Sequence, residues 1–143
     1  MKQFAKLLRL DFLPRSTDLG LLVLRLWFGL SMAILHGWGK FTDFNIYAAK
    51  FPGLMGLSPS MSLGLAVFAE LVCAVMIAFG LFTRFAALML MVTMLVAFGM
   101  AHNWVLKGEG NGEMAFIYLA AYSVLFIAGP GRFSIDAKMG GKV

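Results

Sequence analysis

Cysteine is almost missing from this chain. Its one thiol, Cys73, can form no internal disulfide and no CxxC relay, which argues against thiol exchange by the chain itself. Charge is scarce too: 13% of the 143 residues are Asp, Glu, Lys or Arg, where a soluble domain carries about 25%. That scarcity excludes an ordinary soluble enzyme, a disordered tail and a nucleic-acid-binding arm. There are only two histidines, and no HxxxH or CxxC pair offers a short-range metal site. Hydrophobic residues dominate instead, at 61% of the chain, with a mean hydropathy of +0.86. Such a chain is a membrane protein, and its length suits one integral domain over residues 1–143.

A membrane helix needs about 20 mostly apolar residues. Four continuous runs qualify, at about residues 19–36, 62–82, 85–102 and 113–129. Continuous rather than alternating hydrophobicity makes them helices, and four strands cannot close a barrel. The fold class expected is therefore an all-α membrane protein, a four-transmembrane-helix bundle. Ser58-Pro59-Ser60 is a start signal for the second span, Gly80 and Thr83 frame the next turn, and Gly129-Pro130-Gly131 stops the last span. Asn45 to Phe51 reads as a short outer surface helix. Phe4, Leu7, Leu8 and Phe12 against Lys2, Lys6 and Arg9 suggest an N-terminal interfacial helix, with a disordered basic tail as the plainer alternative. The charges in this segment exclude a secretory signal peptide.

Four spans put both termini on one side. The terminal segments and the turn between spans two and three hold eight Lys and Arg residues, against Lys40, Lys50 and Lys107 on the other side. The positive-inside rule then places both termini in the cytoplasm, with an aromatic belt that includes Trp38, Phe41, Phe44 and Trp104 on the outer face.

Ionisable residues inside a membrane are functional hypotheses by default. Arg25 lies roughly 12 Å up span one and Glu70 roughly 18 Å up span two at about 1.5 Å per residue. This predicts an Arg25–Glu70 pair, read first as a structural ion pair and second as the floor of a ligand cavity. His36 returns to the Arg25 face after 11 residues, with Gly29 and Met32 on the same stripe and Lys40 near it. His36, His102 and Glu113 are all expected at the outer level, with Lys40 and Asn103 beside them. Singly, each has a plain explanation: His102 and Glu113 complement helix dipoles, and Lys40 snorkels to water. Together they suggest a site. A metal is disfavoured for lack of close ligand pairs. A haem clamped by two histidines is a second option. A quinone-like ring compound suits a greasy slot with His and Lys donors best. A transporter would need polar lining through the inner half.

The eleven methionines, several in span three, read as core filling rather than copper ligands, and Cys73 as a buried apolar residue. Tyr118 and Tyr122 are expected to face lipid or a neighbouring subunit, being opposite Glu113. Dimerisation is open, since no strong GxxxG run stands out.

Arg25-Leu26, Gly29, His36-Gly37 and Lys40-Phe41 resemble the first span of the DoxX family of small bacterial membrane proteins. Phe51-Pro52-Gly53, Glu70, Gly80-Leu81 with Thr83-Arg84, Glu113, and Gly129-Pro130-Gly131-Arg132 with Ser134 and Asp136 continue the resemblance in order. The resemblance implies a four-helix protein of the bacterial inner membrane. Members have been linked to a thiosulfate:quinone oxidoreductase subunit, to quinone or catechol-quinone reduction, and to membrane complexes handling thiol redox stress. Arg84, Arg132 and Asp136 are expected to latch the tail to the turn between spans two and three. The expectation is a membrane subunit or small oxidoreductase binding a quinone near the outer face. His36 and Lys40 donate to a ring carbonyl, Glu113 or His102 relays protons, and Arg25, Gly29 and Glu70 complete the binding surface. A redox protein is the expected partner. The competing class is a non-catalytic scaffold of a redox complex.

Overall fold

The computed structural model describes residues 4, 8–10, 14–54 and 56–140. Lys2, Lys6, Leu7 and Phe12 fall outside the described residues, and with them the expectation of an N-terminal interfacial helix. Six helices follow in order, with no strand among the described residues: α1 (Thr17–Thr42), α2 (Phe44–Ala48), α3 (Pro59–Phe79), α4 (Thr83–Ala101), α5 (Glu113–Ala128) and α6 (Ile135–Lys138). Helices α1, α3 and α4 have the length and composition to cross a membrane, and α5 is a shorter apolar helix of 16 residues. The protein is thus an all-helical membrane protein.

Local chemistry sets the ends. Ser58 caps α3 by accepting from the Met61 amide at 3.3 Å, with Pro59 as the first helical residue. Gly80, at φ +70°, ends α3 in the left-handed conformation that costs glycine nothing. Phe82 follows with φ +44°, and its amide donates to Asp136 Oδ1 at 2.7 Å. The Thr83 amide donates to the other carboxylate oxygen at 2.9 Å, so a residue 53 positions away caps α4. The expected latch is therefore real in Asp136. Arg84 instead bonds the Phe126 carbonyl of α5 through Nε, and the Arg132 amide donates to Asp18 at the start of α1. The short helix expected at 45–51 is α2, which is confined to Phe44–Ala48 and ends before Phe51. Span one extends six residues beyond the expected end at 36, which places Lys40 on the helix.

Helix α3 is the central element. Of its most apolar stretch 56% is buried, against 28% for α1 and α4, so α1 and α4 flank it and show more surface to lipid. On α1 the outward face is Leu19, Val23, Trp27, Leu30 and Ile34, and the inward face is Leu21, Arg25, Gly29, Met32 and Ala33. This period of three to four is the amphipathic helix turned inside out for hydrocarbon. Gly29, Ala33 and Gly37 recur every fourth residue and lie against α3. A Cβ on Gly29 would meet the Ala74 carbonyl at 2.8 Å, and one on Gly37 the Glu70 carbonyl at 2.6 Å. Small residues let the two backbones touch. The small-residue spacing absent from the expectations is present here, and it works within the chain.

Helix α5 packs on α4 and α1. Tyr118 and Tyr122 are buried, not lipid-facing. Tyr118 bonds Ser31 Oγ at 2.8 Å, and the Tyr122 hydroxyl donates to the Phe28 carbonyl at 3.1 Å. Glu113, the residue used to orient α5, is exposed at a helix end, where its direction says little about the faces further along.

Candidate functional site

All three long helices change their hydrogen-bond pattern at one stage. The Trp38, Ala74 and His102 amides donate to carbonyls five residues back, on Ala33, Ala69 and Ala97, where a regular helix would reach four back. The π-helical segments are Ala33–Gly37, Phe68–Cys73 and Ala97–Ala101. Such segments are rare, rotate the following side chains, and recur at functional sites. Ionisable residues gather at these segments: His36 lies in the first and Lys40 follows it, Glu70 lies in the second, and His102 follows the third.

Lys40, Glu70 and His102 line one cavity of about 380 Å³ between α3 and α4. Its walls are otherwise apolar, with Leu65 and Ala66 from α3 and Met89, Val92, Val96, Ala97 and Met100 from α4. Thr93 lies among them, but its hydroxyl is committed to the Met89 carbonyl at 2.9 Å. The principal polar feature is the ion pair between Lys40 Nζ and Glu70 Oε2. The Glu70 side chain is 6% exposed and that of Lys40 21%, so the carboxylate is the more deeply buried partner. A buried carboxylate without its cation would be costly, so each charge explains the other.

The Arg25–Glu70 pair expected from depth does not form. Helical side chains lean toward their own N-terminus. Helices α1 and α3 run antiparallel, so Lys40 leans along α1 toward Glu70 and Glu70 leans along α3 toward Lys40. Arg25 leans the other way, toward the end of the bundle that carries the tail. There it is fully buried, donating through one terminal nitrogen to the Phe133 carbonyl and through the other, at 3.4 Å, to the Ala78 carbonyl. Arg25 is a clasp on the tail, not the floor of the cavity.

The remaining expected residues divide. His102 lines the cavity, and its Nδ1 lies 2.7 Å from the Gly110 carbonyl. In the neutral ring that contact places the proton on Nδ1 and leaves Nε2 as an acceptor. His36 does not line the cavity. It packs edge-on against Tyr118 at 5.6 Å, with Glu70 and Lys40 in electrostatic range. Glu113 is exposed at the start of α5, outside the cavity lining. Gly29 has its face filled by α3 backbone, which leaves no room for a flat ligand there. The cavity thus gathers Lys40, Glu70 and His102, and leaves out His36, Glu113, Gly29 and Arg25. Among the described residues no group of three His, Cys, Asp or Glu could hold a metal ion. Of the two histidines, only His102 lines this cavity.

Sequence reasoning did not foresee the part played by the segment after α2. Phe51, Pro52, Leu54 and Leu57 line the cavity, and the Leu54 amide donates to Ser62 Oγ at 3.0 Å. The signal was available: apolar residues interleaved with Pro and Gly in a loop otherwise free to be polar.

No solved structure matches the chain. An uncharacterized protein of Haemophilus influenzae is 33% identical over 115 residues, covering 75% of this chain and 81% of the relative. The DoxX family model matches residues 20–103, a stretch that contains every residue lining the cavity. With that match over more than half of its length, the chain belongs to the DoxX family.

Proposed function

We propose that the protein binds a quinone-like ring compound in the cavity between α3 and α4, as a membrane subunit or small oxidoreductase of the inner membrane. The observation that carries this reading is the cavity itself: about 380 Å³ of apolar space with a lysine–glutamate pair at one end and a histidine acceptor at its border. Ligand pockets are typically about 300–1,000 Å³, mostly apolar, with few convergent polar groups. Lys40 keeps two N–H donors beyond the one given to Glu70, enough for a ring carbonyl. With Nδ1 engaged by the Gly110 carbonyl, His102 Nε2 is the ring nitrogen left to meet a ring hydroxyl. The excess of Lys and Arg in the terminal segments and the α3–α4 turn supports cytoplasmic termini, with the cavity in the outer half. A redox protein that delivers or takes electrons is the partner this role requires.

The test is titration of the purified protein in lipid nanodiscs with a short-chain benzoquinone, read by tryptophan fluorescence. Saturable binding is expected, weakened about tenfold by Lys40→Met. Glu113→Gln should change affinity less than about twofold, since it lies outside the lining. A cavity-filling Ala97→Phe variant provides a second route if Lys40→Met does not fold. Absence of saturation, or affinity indifferent to both cavity substitutions, removes the proposal.

A further inference from the structure

The cavity has a roof and a floor, but one side is not walled by protein. Phe51, Leu54 and Leu57 form the roof, held to α3 by the Leu54–Ser62 hydrogen bond. Lys40 and Glu70 form the floor, and the neighbouring Cys73, Ala74 and Leu90 are fully buried in the packed core. On the remaining side, Leu65 of α3 and Val92 and Met100 of α4 line the cavity, yet they are 56%, 50% and 56% exposed. All three stand on helices with the length and composition of membrane spans, so the medium they meet outside the protein is hydrocarbon. The same side chains therefore touch both the cavity and the bilayer.

We propose that the ligand is a bilayer amphiphile whose ring head lies against Lys40 and whose long apolar tail leaves between α3 and α4, across Leu65, Val92 and Met100, into the acyl chains. This rests on the reading of the cavity as a quinone-like site, and adds the phase from which the ligand arrives and the path its tail takes. The volume holds a ring and the first carbons of a chain, not a whole polyprenyl tail. A tail that stays among acyl chains never meets water, so no apolar surface is hydrated on the way in or out. On the roof side a head would meet Phe51, Leu54 and Leu57, a segment tied to α3 through the Leu54–Ser62 bond. On the lateral side the side chains met are the apolar Leu65, Val92 and Met100. The portal thus admits ligands from the membrane.

The experiment uses the full chain in nanodiscs and a dimethoxy-methyl-benzoquinone carrying a decyl chain with a diazirine at its end. After photolysis, the labelled peptides are mapped by mass spectrometry. Label is expected on α3 and α4 around Leu65, Val92 and Met100, suppressed by excess of the same ring without a tail, and reduced about tenfold by Val92→Trp. Label that is suppressed by the free ring but falls on the 51–57 segment overturns the lateral path while leaving the cavity reading intact. Label that the free ring does not suppress shows no head site, and overturns both.

Discussion

The α-carbon of Gly37 lies against the backbone of Glu70. A Cβ at Gly37 would come within 2.6 Å of the Glu70 carbonyl oxygen and 2.8 Å of the Leu71 nitrogen. Both partners are backbone atoms in π-helical segments, so neither can turn aside as a flexible side chain would. This contact sets the register of α1 on α3. Lys40 follows Gly37 by three residues, about one turn along the same face, and so arrives at the Glu70 carboxylate. The ion pair of the cavity is a consequence of a glycine.

Gly37→Ala should accordingly destabilise the bundle by about 1–3 kcal/mol, the usual cost of overpacking. Gly64, on the same α3 helix, has nothing within 4 Å of where its Cβ would stand. Gly64→Ala is expected to be neutral or to stabilise by about 0.5–1 kcal/mol, as alanine replaces glycine in a helix. Denaturation of the two variants in mixed micelles decides the matter, and equal effects would refute the close-contact account.

Lys40 and Glu70 should behave as one unit. Removing one charge strands the other, at a cost of up to about 3–5 kcal/mol for a buried pair. Lys40→Met combined with Glu70→Leu should recover much of what either single change loses. A double-mutant cycle on unfolding free energy should give a coupling of about 0.5–3 kcal/mol. Additive single effects would mean that the pair contributes nothing as a pair.

At the opposite end, Arg25 joins three parts of the chain: its own helix, the end of α3 at Ala78 and the tail at Phe133. Arg25→Lys keeps the charge but lacks the planar fork that reaches two carbonyls at once. The expected result is a loosened tail, seen as faster proteolysis within residues 129–140, with the benzoquinone titration proposed above unchanged. Unchanged cleavage kinetics would contradict the role of a clasp.

Asp136 stabilises α4 from a distance by accepting the Phe82 and Thr83 amides. Asp136→Ala leaves both donors and the helix N-terminus without a partner, which should cost about 1–2 kcal/mol. Asp136→Asn, which keeps an acceptor oxygen but not the charge, should lie between. Hydrogen exchange at the two amides is the direct measurement. Protection that survives Asp136→Ala would show that something else caps the helix.

Much of this protein is determined by the sequence alone. Apolar runs specify helices, because a backbone in hydrocarbon must bond to itself. Ser58-Pro59, Gly80 and Gly129-Pro130 mark ends through short-range chemistry that needs no neighbours, and the place of Asp136 in a tail latch was legible as well. Which charges meet was decided only by tertiary structure. Depth counted along separate helices brought Arg25 to Glu70, whereas the lean of side chains on antiparallel helices gives Glu70 to Lys40 and sends Arg25 to the tail. The burial of Tyr118 and Tyr122 and the exclusion of His36 and Glu113 from the cavity have a related cause. A helical wheel fixes which residues share a face, but packing and the extra residue of each π-helical segment decide what that face meets.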